Sequence, residues 1–410
     1  MPNKDKNIPK RRFKAFENAD AWELRPLGEI GNTYTGLSGK TKDDFGHGDG
    51  RFVTYMNVFS NPISLPEMVE AVEIDESQNT VRYGDVLFTT SSETPEEVGM
   101  SSVWLENTEN TYLNSFCFGF RPVKKVNPYY LAYLLRSSGM RRKISFLAQG
   151  ISRYNISKTK MMELEISIPN ENEQEVIGTF FSTLDRHITL HQRKLDKLKN
   201  VKQAYLSEMF PAEGERVPKR RFPGFTDDWE LRKLGEVAEM YSGGTPSVGK
   251  KEFYEGNIPF IRSAEINSHN TELFLSELGL SNSSAKMVNK GDLLYALYGA
   301  TSGEVGLAKI SGAINQAILA IIPSIDYSSN FLLQWLKREK NNIIEKYLQG
   351  GQGNLSGAIV KDFSITFPTL PEQSAIGTFF SILDRQITLH QRKLEKLKNL
   401  KKALLNELFV

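Results

Sequence analysis

The sequence predicts a mixed α/β fold, α+β in its layout, made of two similar segments and two long helices. The helices are expected to pair as an antiparallel two-helix coiled coil with a pseudo-twofold internal repeat. Three observations support this: a block of 38 residues occurs twice, it carries coiled-coil spacing, and the stretches around it alternate apolar strands with polar loops. A chain of 410 residues also has room for two or three domains.

The repeated block covers residues 173–210 and 372–409, and 28 of its 38 positions are identical. Shorter repeats precede each segment. The motif PKRRF occurs at residues 9–13 and 218–222, and the motif WELR-x-LGE occurs at residues 22–29 and 229–236. Chance does not produce such agreement, so the chain is a duplication of one unit.

Apolar residues in the repeated block recur at alternating steps of four and three, which is the spacing of a coiled-coil seam. Each copy is expected to form one helix, ~57 Å long at about 1.5 Å per residue. So narrow an apolar stripe is not stable alone, and its simplest partner is the other copy, paired antiparallel. The expected packing residues are Phe181, Leu184, Ile188, Leu195 and Leu198 in the first copy and Phe380, Leu383, Ile387, Leu394 and Leu397 in the second.

The segments between the repeats have strand-like composition, with Gly, Ser and Thr in the intervening loops. One short helix, at residues 129–136 or 331–338, is expected before the last strand of each segment. The two segments share only a skeleton of residues, as one fold would if it carried two different binding surfaces. The expected strands are residues 52–58, 85–90, 116–122 and 163–169 in the first segment and 258–263, 292–298, 317–323 and 363–368 in the second.

The composition excludes several classes of protein. With 51 Lys+Arg and 49 Asp+Glu, the net charge of +2 argues against a chain coated in positive charge. No apolar run approaches the ~20 residues that span a bilayer, and the N-terminus lacks the apolar core of a secretory signal. Cys117 is the only cysteine, which excludes a disulfide scaffold and a cysteine-based zinc site. The reducing cytoplasm is therefore the expected compartment.

The polar loops supply the candidate binding residues. Glycine lets backbone N–H groups approach a phosphate, Lys and Thr add donors, and Asn or Gln can bind adenine. Arg51 and Arg262 lie in or beside strands at matching places, where each is either an ion-pair partner or a reader of guanine. Each loop could equally be a plain turn. The candidates are Lys40, Thr41, Lys42, Arg51, Thr89, Thr90, Arg153, Tyr154 and Asn155 in the first segment and Ser242, Gly243, Thr245, Arg262, Tyr298, Thr301, Gln352 and Asn354 in the second.

Basic runs form a second candidate feature. The later half of each repeated helix is rich in Lys and Arg, and PKRRF occurs twice. A solvated helix face is one interpretation. Contact with DNA phosphates or with an acidic partner is the other, and the sequence leaves the choice open.

Catalysis has little support in the sequence. The motif SGKT at residues 38–41 fails as a phosphate-binding loop, because Tyr34 stands where the required glycine would be. The motif at residues 127–130 lacks the second proline of the methyltransferase loop Asn-Pro-Pro-Tyr. The five histidines show no metal-ligand spacing, so neither a catalytic residue nor a metal site is expected. The alternatives to a DNA-binding role are a fused methyltransferase or nuclease and a non-DNA coiled-coil scaffold with two ligand-binding heads.

The arrangement resembles the specificity (S) subunit of Type I restriction–modification systems. The duplicated EQ…IGTFFS-x-LDR-x-ITLHQRKL-x-KLKN block, the duplicated WELR-x-LGE motif and two divergent segments carry the resemblance. It implies two target recognition domains separated by the paired helices. The implied layout is an arm at residues 1–16, recognition domain 1 at 17–170, a central spacer helix at 171–212, a linker at 213–224, recognition domain 2 at 225–371 and a distal spacer helix at 372–410.

The resemblance also implies function. The chain itself would be a non-catalytic DNA-binding subunit without a cofactor, and each recognition domain would read one half of an interrupted, asymmetric site in double-stranded DNA. Two modification subunits, which bind S-adenosylmethionine and methylate adenine, would dock on the helices. Restriction subunits would add ATP- and Mg-dependent translocation and cleavage.

Overall fold

The computed structural model describes residues 7–348 and 354–410, which divide into two compact units. Unit 1 comprises Met1–Gln192 and Arg392–Val410, and unit 2 comprises Arg193–Gln391. Each unit thus contains one segment together with parts of both long helices. Among the described residues, no helix has the length and apolar character needed to cross a membrane.

Unit 1 is built from short strands, short helices and parts of the two long helices. Its strands are β1 (Glu23–Pro26), β2 (Gly31–Thr35), β3 (Phe45–Val53), β4 (Val69–Val72), β5 (Val86–Thr89), β6 (Ser91–Ser92), β7 (Ser101–Val103), β8 (Thr111–Leu113), β9 (Cys117–Pro122), β10 (Tyr154–Asn155) and β11 (Glu165–Ile168). Its helices are α1 (Tyr55–Ser60), α2 (Pro128–Leu134), α3 (Ser138–Ser145), α4 (Lys158–Met162) and the first part of α5 (Glu171–Glu208).

Unit 2 has the same kinds of elements. Its strands are β12 (Glu230–Lys233), β13 (Ala238–Ser242), β14 (Ile258–Ile261), β15 (Leu273–Leu275), β16 (Lys286–Val288), β17 (Leu293–Ala296), β18 (Val305–Leu307), β19 (Gly312–Ile314), β20 (Ile318–Pro323) and β21 (Ser364–Phe367). Its helices are α6 (Leu234–Val237), α7 (Glu277–Ser281), α8 (Ser329–Leu348), α9 (Gly357–Lys361) and the first part of α10 (Leu370–Glu407).

The sheets of the two units correspond, except that the mixed sheet of unit 2 has one additional strand, β16. An antiparallel four-stranded sheet has the order β2-β9-β5-β7 in unit 1 and β13-β20-β17-β18 in unit 2. A mixed sheet has the order β4-β3-β8 in unit 1 and β15-β14-β19-β16 in unit 2, with β3 parallel to β8 and β14 parallel to β19. The ladders β1-β11 and β12-β21 also correspond. The prediction of one mixed α/β fold used twice is therefore confirmed.

The long helices run antiparallel within each unit. In unit 1, Asp185 of α5 forms an ion pair of 2.6 Å with Lys401 of α10, while Phe181, one turn earlier, packs on Phe409, 5.7 Å away between ring centroids. In unit 2 the pseudo-twofold partner of that ion pair joins Lys202 of α5 to Asp384 of α10, also at 2.6 Å. The residues that the sequence predicts to pack between the helices are all buried or partly buried in the structure. Phe181, Leu184, Leu195, Phe380 and Leu394 are buried, and Ile188, Leu198, Leu383, Ile387 and Leu397 are partly buried.

A buried cluster of four aromatic rings joins each unit's sheets to its helices. In unit 1, Trp22 from the WELR motif packs on Tyr130 of α2, and both Tyr130 and Phe181 pack on Phe409. Burying one such side chain is worth about 1.5–3 kcal/mol. The corresponding rings of unit 2 are Trp229, Phe331, Phe380 and Phe210.

The Gln of the repeated Glu-Gln pair ties the last strand and α2 to the start of the long helix. In unit 1, the Gln174 amide donates to the carbonyl oxygen of Pro169 at 2.8 Å and accepts from the backbone N–H of Asn127 at 2.9 Å. Asn127 in turn caps α2. Both ends of this buried side chain are thus satisfied, as burial of an amide requires. The unit 2 counterparts are Gln373, Pro368 and Ser328.

The Glu of the same pair binds the PKRRF motif. Arg12 donates to both carboxylate oxygens of Glu173 at 2.6 Å, and only 6% and 0% of the two side chains are exposed. Arg221 and Glu372 form the same bidentate pair in unit 2, at 2.9 and 2.7 Å. The second arginine of PKRRF therefore attaches this motif to the long helix of its unit. The sequence had suggested either a solvated surface or a contact with DNA or an acidic partner, and neither interpretation predicted this role.

Two predictions about the segments were wrong in detail. Residues 52–58 are not one strand, because β3 ends at Val53 and the Thr54 hydroxyl caps α1 by accepting from the N–H of Asn57 at 3.2 Å. The prediction of a single short helix before the last strand of each segment was also wrong. Unit 1 has α3 after α2, and unit 2 has the 20-residue α8.

Loss of the Arg12–Glu173 ion pair is expected to lower the stability of the protein strongly. Arg12→Ala leaves Glu173 charged and buried without its partner, so the free energy of unfolding should fall by about 3–5 kcal/mol. The exposed pair Arg11–Glu407, with 62% and 37% of its side chains exposed, is the matched control. Arg11→Ala should cost less than about 1 kcal/mol. Denaturant unfolding of both variants checks this, and equal effects would contradict a structural role for Arg12.

The stability contributed by Asp384 is expected to depend on pH. Burial alone would raise the pKa of Asp384, but Lys337 and Lys202 outweigh it and lower that pKa below its ordinary value. The stabilisation is therefore present above the unfolded pKa of about 3.9 and is lost as the pH falls through the folded pKa. Asp384→Asn should cost about 2 kcal/mol at neutral pH and progressively less in acid.

Denaturant midpoints measured across this pH range test the prediction. Asp362→Asn is the control, because Asp362 and its partner Lys233 are both largely exposed and their pair should contribute little. A difference between wild type and Asp384→Asn that did not shrink in acid would exclude the ionised carboxylate as its source.

Candidate nucleic-acid interface

One group of candidate residues in unit 1 is brought together by a small antiparallel ladder. β10 pairs with β6 so that Tyr154 lies opposite Ser92 and Asn155 opposite Ser91. The backbone N–H of Ile156 donates to the carbonyl oxygen of Thr90 at 3.0 Å. The loops at residues 89–91 and 153–155, far apart in sequence, therefore form one surface, on which Arg153 and Asn155 are exposed.

Thr89 does not belong to that surface. Its side chain is fully buried, and its hydroxyl accepts from the backbone N–H of Met100 at 3.0 Å. Thr90 is partly exposed, but its hydroxyl donates to the carbonyl oxygen of Phe116 at 2.7 Å. Thr89 is thus a structural residue of β5, and its prediction as a binding residue conflicts with this burial.

The second group in unit 1 comprises residues 40–42, which precede β3, and Arg51 near the end of β3. Part of its positive charge is already paired with carboxylates. Lys40 pairs with Asp75 at 2.8 Å, and this hydrogen bond raises the pKa of Lys40 and lowers that of Asp75. Thr41 forms a capping box with Asp44, whose pKa is lowered by the Thr41 N–H and hydroxyl. Lys42 and Arg51 are exposed. The Lys40 ammonium would have to leave Asp75 to bind a phosphate.

Unit 2 brings together the residues that correspond to the first group. Tyr298 lies opposite Asn354 in an antiparallel bridge, and the N–H of Leu355 donates to the carbonyl oxygen of Leu297 at 2.9 Å. Asn354 is exposed, and Tyr298 and Thr301 are partly exposed. Gln352 lies outside the described residues. The same two loops therefore meet in both units. They share the asparagine, Asn155 or Asn354, but Ser91 of unit 1 is replaced by Tyr298 in unit 2.

Two of the remaining candidates of unit 2, Thr245 and Arg262, line a cleft of about 500 Å³. Among its walls are Thr245, Tyr254, Phe260, Arg262 and Asn315. Thr245 bonds to Gln316, Ser242 is exposed, and Gly243 is buried at the end of β13.

Arg262 is held by two carboxylates and does not match Arg51. It pairs with Glu265 at 2.9 Å and with Glu272 at 2.6 Å, and these hydrogen bonds raise its pKa. Strand pairing aligns Phe52 with Phe260, because they lie opposite equivalent residues of β8 and β19. Arg262 thus corresponds to Thr54, and the matching of Arg51 with Arg262 was wrong.

A basic segment of unit 1 was missed at the sequence level although composition alone reveals it. Residues 110–162 contain ten Lys or Arg and no Asp or Glu, whereas the corresponding residues 311–361 contain five basic and three acidic residues. Arg136 and Arg141 of this segment are partly buried and donate to backbone carbonyl oxygens, and desolvation lowers their pKa values to about 9 and about 10. Arg142, Arg153 and Lys160 are exposed.

A second missed feature is a basic cleft of about 310 Å³ in unit 1. Arg82, Tyr83, Lys124 and Lys125 line it, and Arg121 at its floor donates to both carboxylate oxygens of Asp85 at 2.9 and 2.7 Å. Among the described residues of the chain, no cluster of His, Cys, Asp or Glu side chains is arranged to hold a metal ion.

The chain therefore belongs to a class of proteins in which one fold occurs twice and carries two different sets of polar loops. The family model of the Type I restriction modification DNA specificity domain matches the chain twice, over residues 19–200 and 226–399. The chain belongs to this family, and as a specificity component it is not a catalytic subunit.

Individual relatives match all or part of the chain. The putative type I restriction enzyme MjaX specificity subunit of Methanocaldococcus jannaschii is 24% identical over 418 aligned residues, covering 98% of this chain and 96% of that protein. The HindI specificity subunit of Haemophilus influenzae is 29% identical over 225 residues, covering 53% of this chain and 45% of that protein. A crystal structure of an S subunit from M. genitalium shares the fold, with a TM-score of 0.67, 16% identity and coverage of 98% and 99%.

Gly243 is expected to be a structural residue and not a phosphate contact. A methyl group on its Cα would lie 1.9 Å from the carbonyl oxygen of Ile314, so Gly243→Ala should destabilise unit 2 by about 1–3 kcal/mol. Gly249→Ala is the control, because no atom lies within 4 Å of the added methyl group. Thermal unfolding of both variants checks this. Unchanged stability with loss of DNA binding would instead assign Gly243 to the binding surface.

Proposed function

We propose that this chain is the sequence-reading subunit of a Type I restriction–modification complex, in which each unit reads one half of an interrupted, asymmetric DNA site. The observation that carries the proposal is the contrast between frame and loops. The buried Glu-Gln anchors, the positions of the aromatic rings and the repeated helix recur in both units, while the residues on equivalent loops differ, apart from the shared Asn155 and Asn354. A subunit that reads two different half-sites needs this combination.

In unit 1, the surface formed by β6 and β10 supplies the groups that DNA recognition requires. Asn155 is exposed and can bind adenine through its amide, while Arg153 beside it can bind guanine or a phosphate. The surplus of ten positive charges in residues 110–162 attracts the DNA backbone. In unit 2, Asn354 repeats Asn155, but Tyr298 stands where unit 1 has Ser91, and Thr301 lies on the same loop as Tyr298. In the sequence, Gln352 precedes Asn354 by two positions, as Arg153 precedes Asn155. A different half-site is therefore expected.

The helices would dock the other subunits. Leu190 and Leu389 occupy identical positions of the repeated block and are 47% and 58% exposed. Two equivalent apolar positions suit two copies of one partner, which we assign to the modification (methyltransferase) subunit. In this proposal S-adenosylmethionine belongs to the modification subunit, ATP and Mg belong to the restriction subunit, and the present chain holds no cofactor.

Base-resolved adenine methylation tests the proposal when the chain is produced with an active modification subunit. One two-part motif should appear only when this chain is present. Replacing residues 17–170 with the corresponding segment of another family member should change one half of the motif and leave the other intact. The reciprocal control, replacement of residues 225–371, should change the other half.

Two other results would contradict the proposal. No new motif beside a verified active partner would favour a scaffold whose two heads bind something other than DNA, and such a chain would show no salt-dependent DNA affinity. A swap that altered both halves of the motif would refute independent reading by the two units.

A further inference from the structure

A tight loop at residues 149–155 presents an isoleucine to solvent. Ile151 lies at its tip and is 96% exposed, and Arg153 on the same loop is also exposed. An isolated exposed apolar residue is ordinary on a protein surface. This one differs because its loop carries Arg153, Tyr154 and Asn155, which belong to the proposed DNA-binding surface.

The loop is held firmly at its base. Gln149 and Asn155 exchange two backbone hydrogen bonds, at 2.9 and 2.8 Å, and Asn155 also pairs with Ser91 of β6. Gly150 has a φ of 140°, and a methyl group on its Cα would lie 2.0 Å from the carbonyl oxygen of Arg153. Only glycine fits at this position, and the turn that it allows leaves the neighbouring Ile151 almost fully exposed.

The surroundings of the loop favour DNA as its partner. The loop lies within the acid-free residues 110–162, and the basic side chains of Arg142 and Lys160 are exposed on the flanking helices α3 and α4. Positive charge of this kind neutralises phosphates on either side of a groove. Apolar side chains that proteins insert between base steps are commonly Phe, Leu, Ile, Met or Pro, supported by Arg, Lys and Asn.

We propose that Ile151 is a wedge that enters the base stack of the half-site read by unit 1. This inference rests on the proposed function. Insertion removes the exposed isoleucine from water and unstacks one base step, while Arg153 and Asn155 beside it hold the adjoining phosphate and base edge. The wedge adds recognition of a step that deforms easily, because unstacking is least costly at flexible steps such as pyrimidine–purine.

The experiment uses the complex of the full chain with its modification subunits, without S-adenosylmethionine. Duplexes carry 2-aminopurine at successive positions of the unit 1 half-site, outside the methylated adenine, and fluorescence reports unstacking. Wild-type complex should raise the fluorescence at one step. Ile151→Ala should lose that rise while DNA is bound, as followed by anisotropy, and Ile151→Leu should keep it.

Ile325→Ala is the matched control. Ile325 is 90% exposed in unit 2, beside Asp326 and outside the basic segment, so its loss should leave the fluorescence unchanged. A rise that persists in Ile151→Ala, or no rise at any position in wild type, overturns the wedge. The two-part methylation motif would still stand in either case, and its absence would instead reject the proposed function.

Discussion

In each unit, one buried arginine–glutamate pair holds the PKRRF motif against the start of a long helix. Glu173 lies in the first turn of α5 and binds Arg12, while the adjacent Gln174 bonds to Pro169 after the last strand and to Asn127 at the start of α2. A buried carboxylate without this partner would cost several kcal/mol, so the arm, the sheets and the helix must assemble together. Because Glu372 and Arg221 repeat the arrangement, both units are built on the same anchor.

These buried Arg–Glu and Gln contacts determine which parts of the sequence can differ between the two units. Strands β2, β9, β5 and β7 and their counterparts in unit 2 are fixed by the core beneath them, and residues that follow their ends are not. The loop after β5 and the loop containing β10 meet in unit 1, just as Tyr298 meets Asn354 in unit 2. Sequence divergence is therefore tolerated where the two loops meet, and that is where differences between two binding surfaces are most effective.

Features that depend on residues close together in the sequence could be predicted, whereas features that depend on residues far apart in the sequence could not. The helices and their antiparallel pairing were predictable, because a repeated heptad pattern is a local signal. The matching of Arg51 with Arg262 failed because strand equivalence is set by pairing with β8 and β19 and not by spacing along the chain. The burial of Thr89 and the ion pair of Lys40 also depend on residues distant in sequence, so no local pattern could reveal them.

The same contact joins residues that are close in sequence in unit 2 but far apart in sequence in unit 1. The backbone N–H of Arg220 donates to the carbonyl oxygen of Glu208, a near neighbour in sequence, whereas the same bond in unit 1 joins Arg11 to Glu407. Closing the longer loop costs more conformational entropy, although the cost grows only slowly with length. Phe409, which packs against Tyr130 and Phe181, comes from the same distant part of the chain. Unit 1 therefore completes its core only when the last turns of α10 are present, whereas unit 2 draws every core residue from one continuous stretch. Two halves of nearly identical design thus differ in how their folding depends on the rest of the chain.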